Sequence, residues 1–153
     1  EGWALYCESL GKELGCYTDP FQYMGALGDE MHRAVRLVVD VAMHTGKMNR
    51  EEAIKYMMEN EAISEEGATA EIERYMAIPA QALSYKTGAL KIKALREKYK
   101  QQLGTKFSIA KFHDAFLKDG CMTLEVIERK MDDCCTRRLS KKITYWSSRW
   151  TCD

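Results

Sequence analysis

Three stretches of the 153-residue sequence carry side chains that could do chemistry. The first is Glu1-Gly2-Trp3-Ala4-Leu5-Tyr6, a carboxylate set directly before Gly-Trp where a helix begins. Taken alone, it is explained equally well as a helix-initiating Glu favoured by the dipole. The second is a polar stripe, Asp29, Arg33, Arg36, Asp40 and His44, at spacings of four, three, four and four. These positions run along one side of a helix, either as a solvated face with charge pairs or as the wall of a functional cavity. The surrounding Val-Arg-Leu-Val-Val-Asp-Val-Ala-Met is apolar on nearly every other side, as expected of a helix buried in a larger protein. Asp40 and His44 then need partners, because buried charge without pairing is costly. The third is Glu71-Ile72-Glu73-Arg74-Tyr75, followed by Ile78-Pro79-Ala80-Gln81 and Ser84-Tyr85-Lys86. It gathers Arg74, Tyr75, Gln81 and Tyr85 around a helix break, where donors often converge. The plainer alternative is that Glu71 pairs with Arg74 at i, i+3 while both tyrosines pack.

Other chemistries are excluded. His32, His44 and His113 lie far apart and none is followed by Glu, so no HExxH pair exists. The six cysteines have no CxxC spacing and no His at finger distance, which removes zinc fingers and favours reduced thiols. Lys+Arg and Asp+Glu number 23 each, so no global basic field recruits nucleic acid. The longest apolar run, Trp3 to Cys7, is far too short to span a membrane.

The elements that must position these groups read as helices. Two prolines and ten glycines leave little punctuation for an all-β chain. Cap and period signals predict about seven helical segments in an all-α bundle. The first, Gly2 to Leu14, stops at Gly15. Asp19-Pro20 opens the second, an N-cap followed by proline at the first helical position, which runs to about Thr45. Its apolar stripe is Met24, Leu27, Met31, Ala34, Val38 and Val41 or Ala42. Asn49 with Glu52 is a capping-box pattern, and Ser64 opens a helix that ends near Ala77 before Pro79. An amphipathic run from Ala89 ends at Gly104, Ser108 caps a helix to about Lys118, and Thr123 caps one to about Asp133. Residues 1–133 form the helical domain on this reading. The remainder, 134–153, is a tail with five basic residues against Asp153 alone, read as an appendage or a reading-frame remnant.

EGWALYCESLGKELGCYTDP, RAVRLVVDVAMHTG, EIERYMAIPAQALSYKTG and KFHDAFLKDG resemble, in that order, the C-terminal region of the bacterial family called domain of unknown function 885. The resemblance covers about Glu1 to Met131. That family looks like helical zinc metallopeptidases of the gluzincin type, with a His-Glu motif and a further histidine upstream. The resemblance implies that Glu1 is the third zinc ligand, which agrees with catalytic zinc taking three N/O protein ligands and leaving one position for water. It further implies that a tyrosine hydroxyl, Tyr75 first and Tyr85 second, stabilises the tetrahedral oxyanion, with Arg74 orienting carboxylates. Arg36, Asp40, His44 and Gln81 would surround metal and substrate.

The expected protein is therefore a C-terminal fragment of a zinc-dependent peptidase acting on short peptides. It is inert alone and holds no zinc of its own, because two ligands and the base are missing. A peptide is the expected partner of the parent, with self-association through faces bared by truncation as a further expectation. Cytoplasm is favoured weakly over export, the chain starting without its N-terminus. A helical scaffold domain without chemistry, binding a partner helix through its polar stripe, is the competing reading.

Overall fold

The computed structural model describes residues 1–140, and the all-α expectation holds: seven α-helices and two short 3-10 turns, with no strand among the described residues. The helices are α1 (Gly2–Glu13), α2 (Pro20–His44), α3 (Arg50–Asn60), α4 (Glu65–Ala77), α5 (Ser84–Leu103), α6 (Ile109–Leu117) and α7 (Leu124–Ser140). Most starts follow from side chains that take up otherwise orphaned N–H groups. Asp19 accepts from the Phe21 N–H at 2.8 Å, with Pro20 at the first helical position. At α3 the capping box is complete: Asn49 Oδ1 accepts from the Glu52 N–H at 2.9 Å, and Glu52 Oε2 accepts from the Asn49 N–H at 2.8 Å. Ser64 Oγ accepts from the Gly67 N–H at 3.1 Å to open α4. Two boundaries differ from the sequence reading. α5 begins at Ser84, ahead of its amphipathic run, and α7 continues past Asp133 to Ser140. The rest of the basic-aromatic tail, including Cys152, lies outside the described residues, and Cys7, Cys16, Cys121, Cys134 and Cys135 are free thiols.

The chain divides into two compact units, Glu1–Ile92 and Lys93–Asp153. In the first, Val35 and Val39 of α2, Ala53, Ile54 and Met57 of α3, Ala68, Ile72 and Tyr75 of α4, and Ala82 form one buried cluster. In the second, Tyr99, Phe112, Phe116, Ile127 and Met131 are buried, and Asp132 accepts from both the Tyr99 hydroxyl and the Lys98 ammonium at 2.6 Å.

The stripe on α2 that the hydrophobic period singles out is not its core face. Met24, Leu27, Met31, Val38 and Val41 are exposed, Met24 by 68%, and only Ala42, the alternative to Val41 at the end of that stripe, is buried, together with Val35, Arg36, Val39 and Asp40. The reason is that α2 is apolar on two faces, and α3 and α4 return to only one of them.

Within the first unit, α1 meets α5 backbone against backbone. A Cβ added at Gly2 would lie 2.4 Å from the Gly88 Cα, and one at Gly88 would lie 2.7 Å from the Gly2 Cα. Only a glycine pair permits this approach. Gly88→Ala is expected to lower stability: overpacking typically costs roughly 1–3 kcal/mol, against about 1 kcal/mol gained in helix propensity. Gly28→Ala on α2, where a Cβ meets nothing within 4 Å, should raise it by about 1 kcal/mol. Urea denaturation of the two variants checks the opposite signs.

Candidate functional site

The site is built around the break between α4 and α5. Pro79 cannot continue α4, and the next residue, Ala80, takes a left-handed conformation at φ 67°. A non-glycine residue there needs outside support, and α2 supplies it. Asp40 Oδ1 accepts from the Ala80 N–H at 3.1 Å, and one Arg36 Nη donates to Gln81 Oε1 at 3.2 Å. His44 completes the hold from the outer end of the stripe, its Nδ1 lying 2.8 Å from the Asp40 carbonyl oxygen and 3.3 Å from Oδ1. Of the five stripe residues, Arg36 and Asp40 are buried, Arg33 is half-buried, and Asp29 and His44 are exposed. The stripe is therefore mainly an anchor for the break. There Asp40 holds the Ala80 backbone, His44 lies against Asp40, and Arg36 holds Gln81.

The two tyrosines flanking the break have different surroundings. Tyr75 is fully buried, and its hydroxyl donates to Glu71 Oε2 one turn earlier on α4. The same oxygen accepts from Arg74 at 2.7 Å and lies 3.7 Å from His32 Nε2, while His32 Nδ1 is 2.7 Å from Glu61 Oε2. Burial, followed by the bond to Glu71, pushes the Tyr75 phenol well above its ordinary value. Burial also opposes ionisation of Glu71, but the hydrogen bonds from Arg74 and Tyr75 and the charges of Arg74 and His32 outweigh it, leaving the carboxyl below its usual range. Arg74 thus pairs with Glu71 as the i, i+3 spacing allows. His32 and Glu61, which the sequence reading did not single out, are 29 residues apart and carry no local signal of their meeting.

Tyr85 lies in the first turn of α5 and is half-buried. The guanidinium of Arg36 is 4.6 Å from its ring centroid and that of Arg33 is 5.1 Å away. Its hydroxyl has no hydrogen-bond partner among the described residues. Glu1 stands at the N-cap of α1 and makes no capping hydrogen bond, so its exposed carboxylate is not consumed by its own helix. The glycine contact links these two groups. Gly2 follows Glu1, and Gly88 lies three residues after Tyr85, a rise of about 4.5 Å along α5. The start of α1 therefore lies beside the first turns of α5.

This arrangement offers one open carboxylate and one open phenol at neighbouring backbone positions, with two arginines behind the phenol. Among the described residues no three of His, Cys, Asp and Glu gather in a way that would hold a metal ion. Glu1 can supply one oxygen ligand, and zinc needs further ligands that these residues do not provide.

Comparison with known proteins gives a family match and matches among solved structures. Residues 1–131 match the family model described as bacterial protein of unknown function, DUF885. Among solved structures, "the putative lipoprotein from Colwellia psychrerythraea" is 49% identical over 90% of this chain, with a TM-score of 0.86. The chain spans 24% of that protein's length. No curated protein matches.

Two variants test the site's internal chemistry. Asp40→Ala strips the Ala80 N–H of its acceptor and should cost about 1–3 kcal/mol in urea denaturation. Glu71 has a lowered pKa in the fold, so its ionised form stabilises. That contribution is complete above the unfolded carboxylate value of roughly 4.3 and is lost as pH falls through the folded value. Glu71→Gln should thus be less stable than the parent at pH 7, with the gap narrowing toward pH 3. A gap independent of pH would show that the ionised Glu71 contributes nothing.

Proposed function

The chain belongs to the bacterial family of unknown function DUF885, and from that premise we propose that it is the C-terminal part of a zinc-dependent peptidase acting on short peptides. The single observation that carries this reading is the Gly2–Gly88 contact, which brings the backbone of Glu1, an uncommitted carboxylate, beside the turn that bears Tyr85. A peptidase of this kind needs a carboxylate ligand and a nearby neutral donor for the oxygen that gains charge. When bound, zinc supplies a metal-activated water. Glu1 contributes one ligand oxygen to it, and the remaining ligands and the general base come from residues outside this chain.

Tyr85 takes precedence over Tyr75 as the oxyanion donor. The Tyr75 proton is already given to Glu71 in a buried network, and releasing it would leave that carboxylate short of a donor. The Tyr85 hydroxyl is uncommitted, and its ring is backed by two positive charges. Arg74, paired with Glu71, then acts on the Tyr75 network and not on substrate. Asp40, His44 and Gln81 act through the break that starts α5.

The experiment uses the longer protein. Tyr85→Phe should lower kcat by on the order of 10²–10³ with zinc content unchanged, because the hydroxyl acts on charge that develops in the transition state. Glu1→Ala should lose both metal and rate. Tyr75→Phe should cost stability more than turnover. If Tyr75→Phe shows the kcat loss while Tyr85→Phe is silent, the two tyrosines exchange roles. If neither changes kcat and Glu1→Ala retains its zinc, the peptidase reading fails.

A further inference from the structure

The first unit contains two arginines, one turn apart on α2, with no carboxylate partner among the described residues. Arg36 is only 3% exposed. Its polar contact is a single amide oxygen, that of Gln81, and its buried Nε has no partner. Arg33 is half-buried, and its guanidinium lies over the Tyr85 ring. The carboxylates that helix spacing would offer them are not used. Asp40, four residues beyond Arg36, gives its Oδ1 to the Ala80 N–H and keeps its buried Oδ2 without a hydrogen bond, and Asp29, four before Arg33, forms no ion pair with it among the described residues. By contrast, Arg50 pairs with Glu51 and Glu73, Arg74 with Glu71 and Arg129 with Glu125. A guanidinium taken out of water without a directly paired counter-charge is costly, and two of them against one phenol ring add like-charge repulsion.

We propose that Arg33 and Arg36 form a receptor for a single carboxylate beside the Tyr85 ring, with the buried Arg36 as its floor and the half-buried Arg33 as its rim. The planar fork of a guanidinium matches a carboxylate in a two-bond geometry. Such a group could come from the free C-terminus of a peptide or from an acidic side chain elsewhere in a longer protein. The proposal rests on the peptidase reading only for the first of these sources. In that case it makes the enzyme selective for substrates with a free C-terminus near the cleaved bond.

The test is binding by the 153-residue chain without metal, so a failed peptidase reading leaves it unaffected. N-acetyl-dialanine and its C-terminal amide are titrated while the arginine Nε–Hε signals are followed by NMR. The acid should bind about tenfold or more tightly than the amide and shift the Arg33 and Arg36 signals. Arg33→Gln should weaken the acid and leave the amide unchanged. Arg33 sits at the rim and this variant should fold, as circular dichroism checks, whereas Arg36→Gln could fail for structural reasons. Equal binding of acid and amide, or no binding of either, overturns the proposal. Repeating the titration on a longer protein separates the sources. Retained binding assigns the carboxylate to substrate, and binding lost there but present in the 153-residue chain assigns it to an internal acidic residue.

Discussion

The buried carboxylate of Asp40 holds the Ala80 amide, and through that bond it determines where α5 begins. Without an acceptor from α2, a left-handed alanine after Pro79 would have little reason to persist. The position of Tyr85 follows from the start of α5, that of Gly88 from Tyr85, and that of Gly2 and Glu1 from Gly88. A single hydrogen bond inside the core is thus connected, step by step, to an exposed carboxylate at the other side of the glycine contact. Arg36 reinforces the same turn one residue later through Gln81.

The contrast between the two tyrosines shows how environment divides roles among identical side chains. Tyr75 is enclosed by the α2–α3–α4 core and spends its proton on Glu71, so it stabilises the fold and a carboxylate network. Tyr85 is only half-buried and is surrounded by cations in place of acceptors. A phenol next to guanidinium groups is better suited to meeting incoming negative charge than one already bonded to a carboxylate. The same α2 side chain, Arg36, touches both rings, at 5.2 Å from Tyr75 and 4.6 Å from Tyr85.

Helix existence and most helix starts were legible in the sequence because capping is local. Asp19-Pro20, Asn49 with Glu52, and Ser64 each act within three residues of themselves. Which face of α2 enters the core was not legible. Met24, Leu27 and Met31 satisfy the helical period as well as Val35 and Val39 do, and the choice depends on where α3 and α4 return. The importance of Asp40 and Arg36 was readable as an anomaly, charged residues on an apolar helix, but their partners Ala80 and Gln81 lie at least 40 residues away. The role of Gly88 left no mark, since a close backbone approach is recorded only as an absent side chain. α5 opens at Ser84, ahead of its amphipathic run, because the preceding 3-10 turn at Gln81–Leu83 supplies the nucleus.

The glycine contact between α1 and α5 has a mechanical side. Most helix pairs meet through side chains, whose rotamers can shift and absorb small displacements. Here two main chains rest on each other with no compliant layer between them. Glu1, next to the point of contact, therefore inherits the positional scatter of the first turns of α5 almost undamped. A tilt introduced at the Pro79 break would be passed on to that carboxylate as a rigid lever passes on rotation, whereas loosening the far end of α1 near Gly15 would hardly move it.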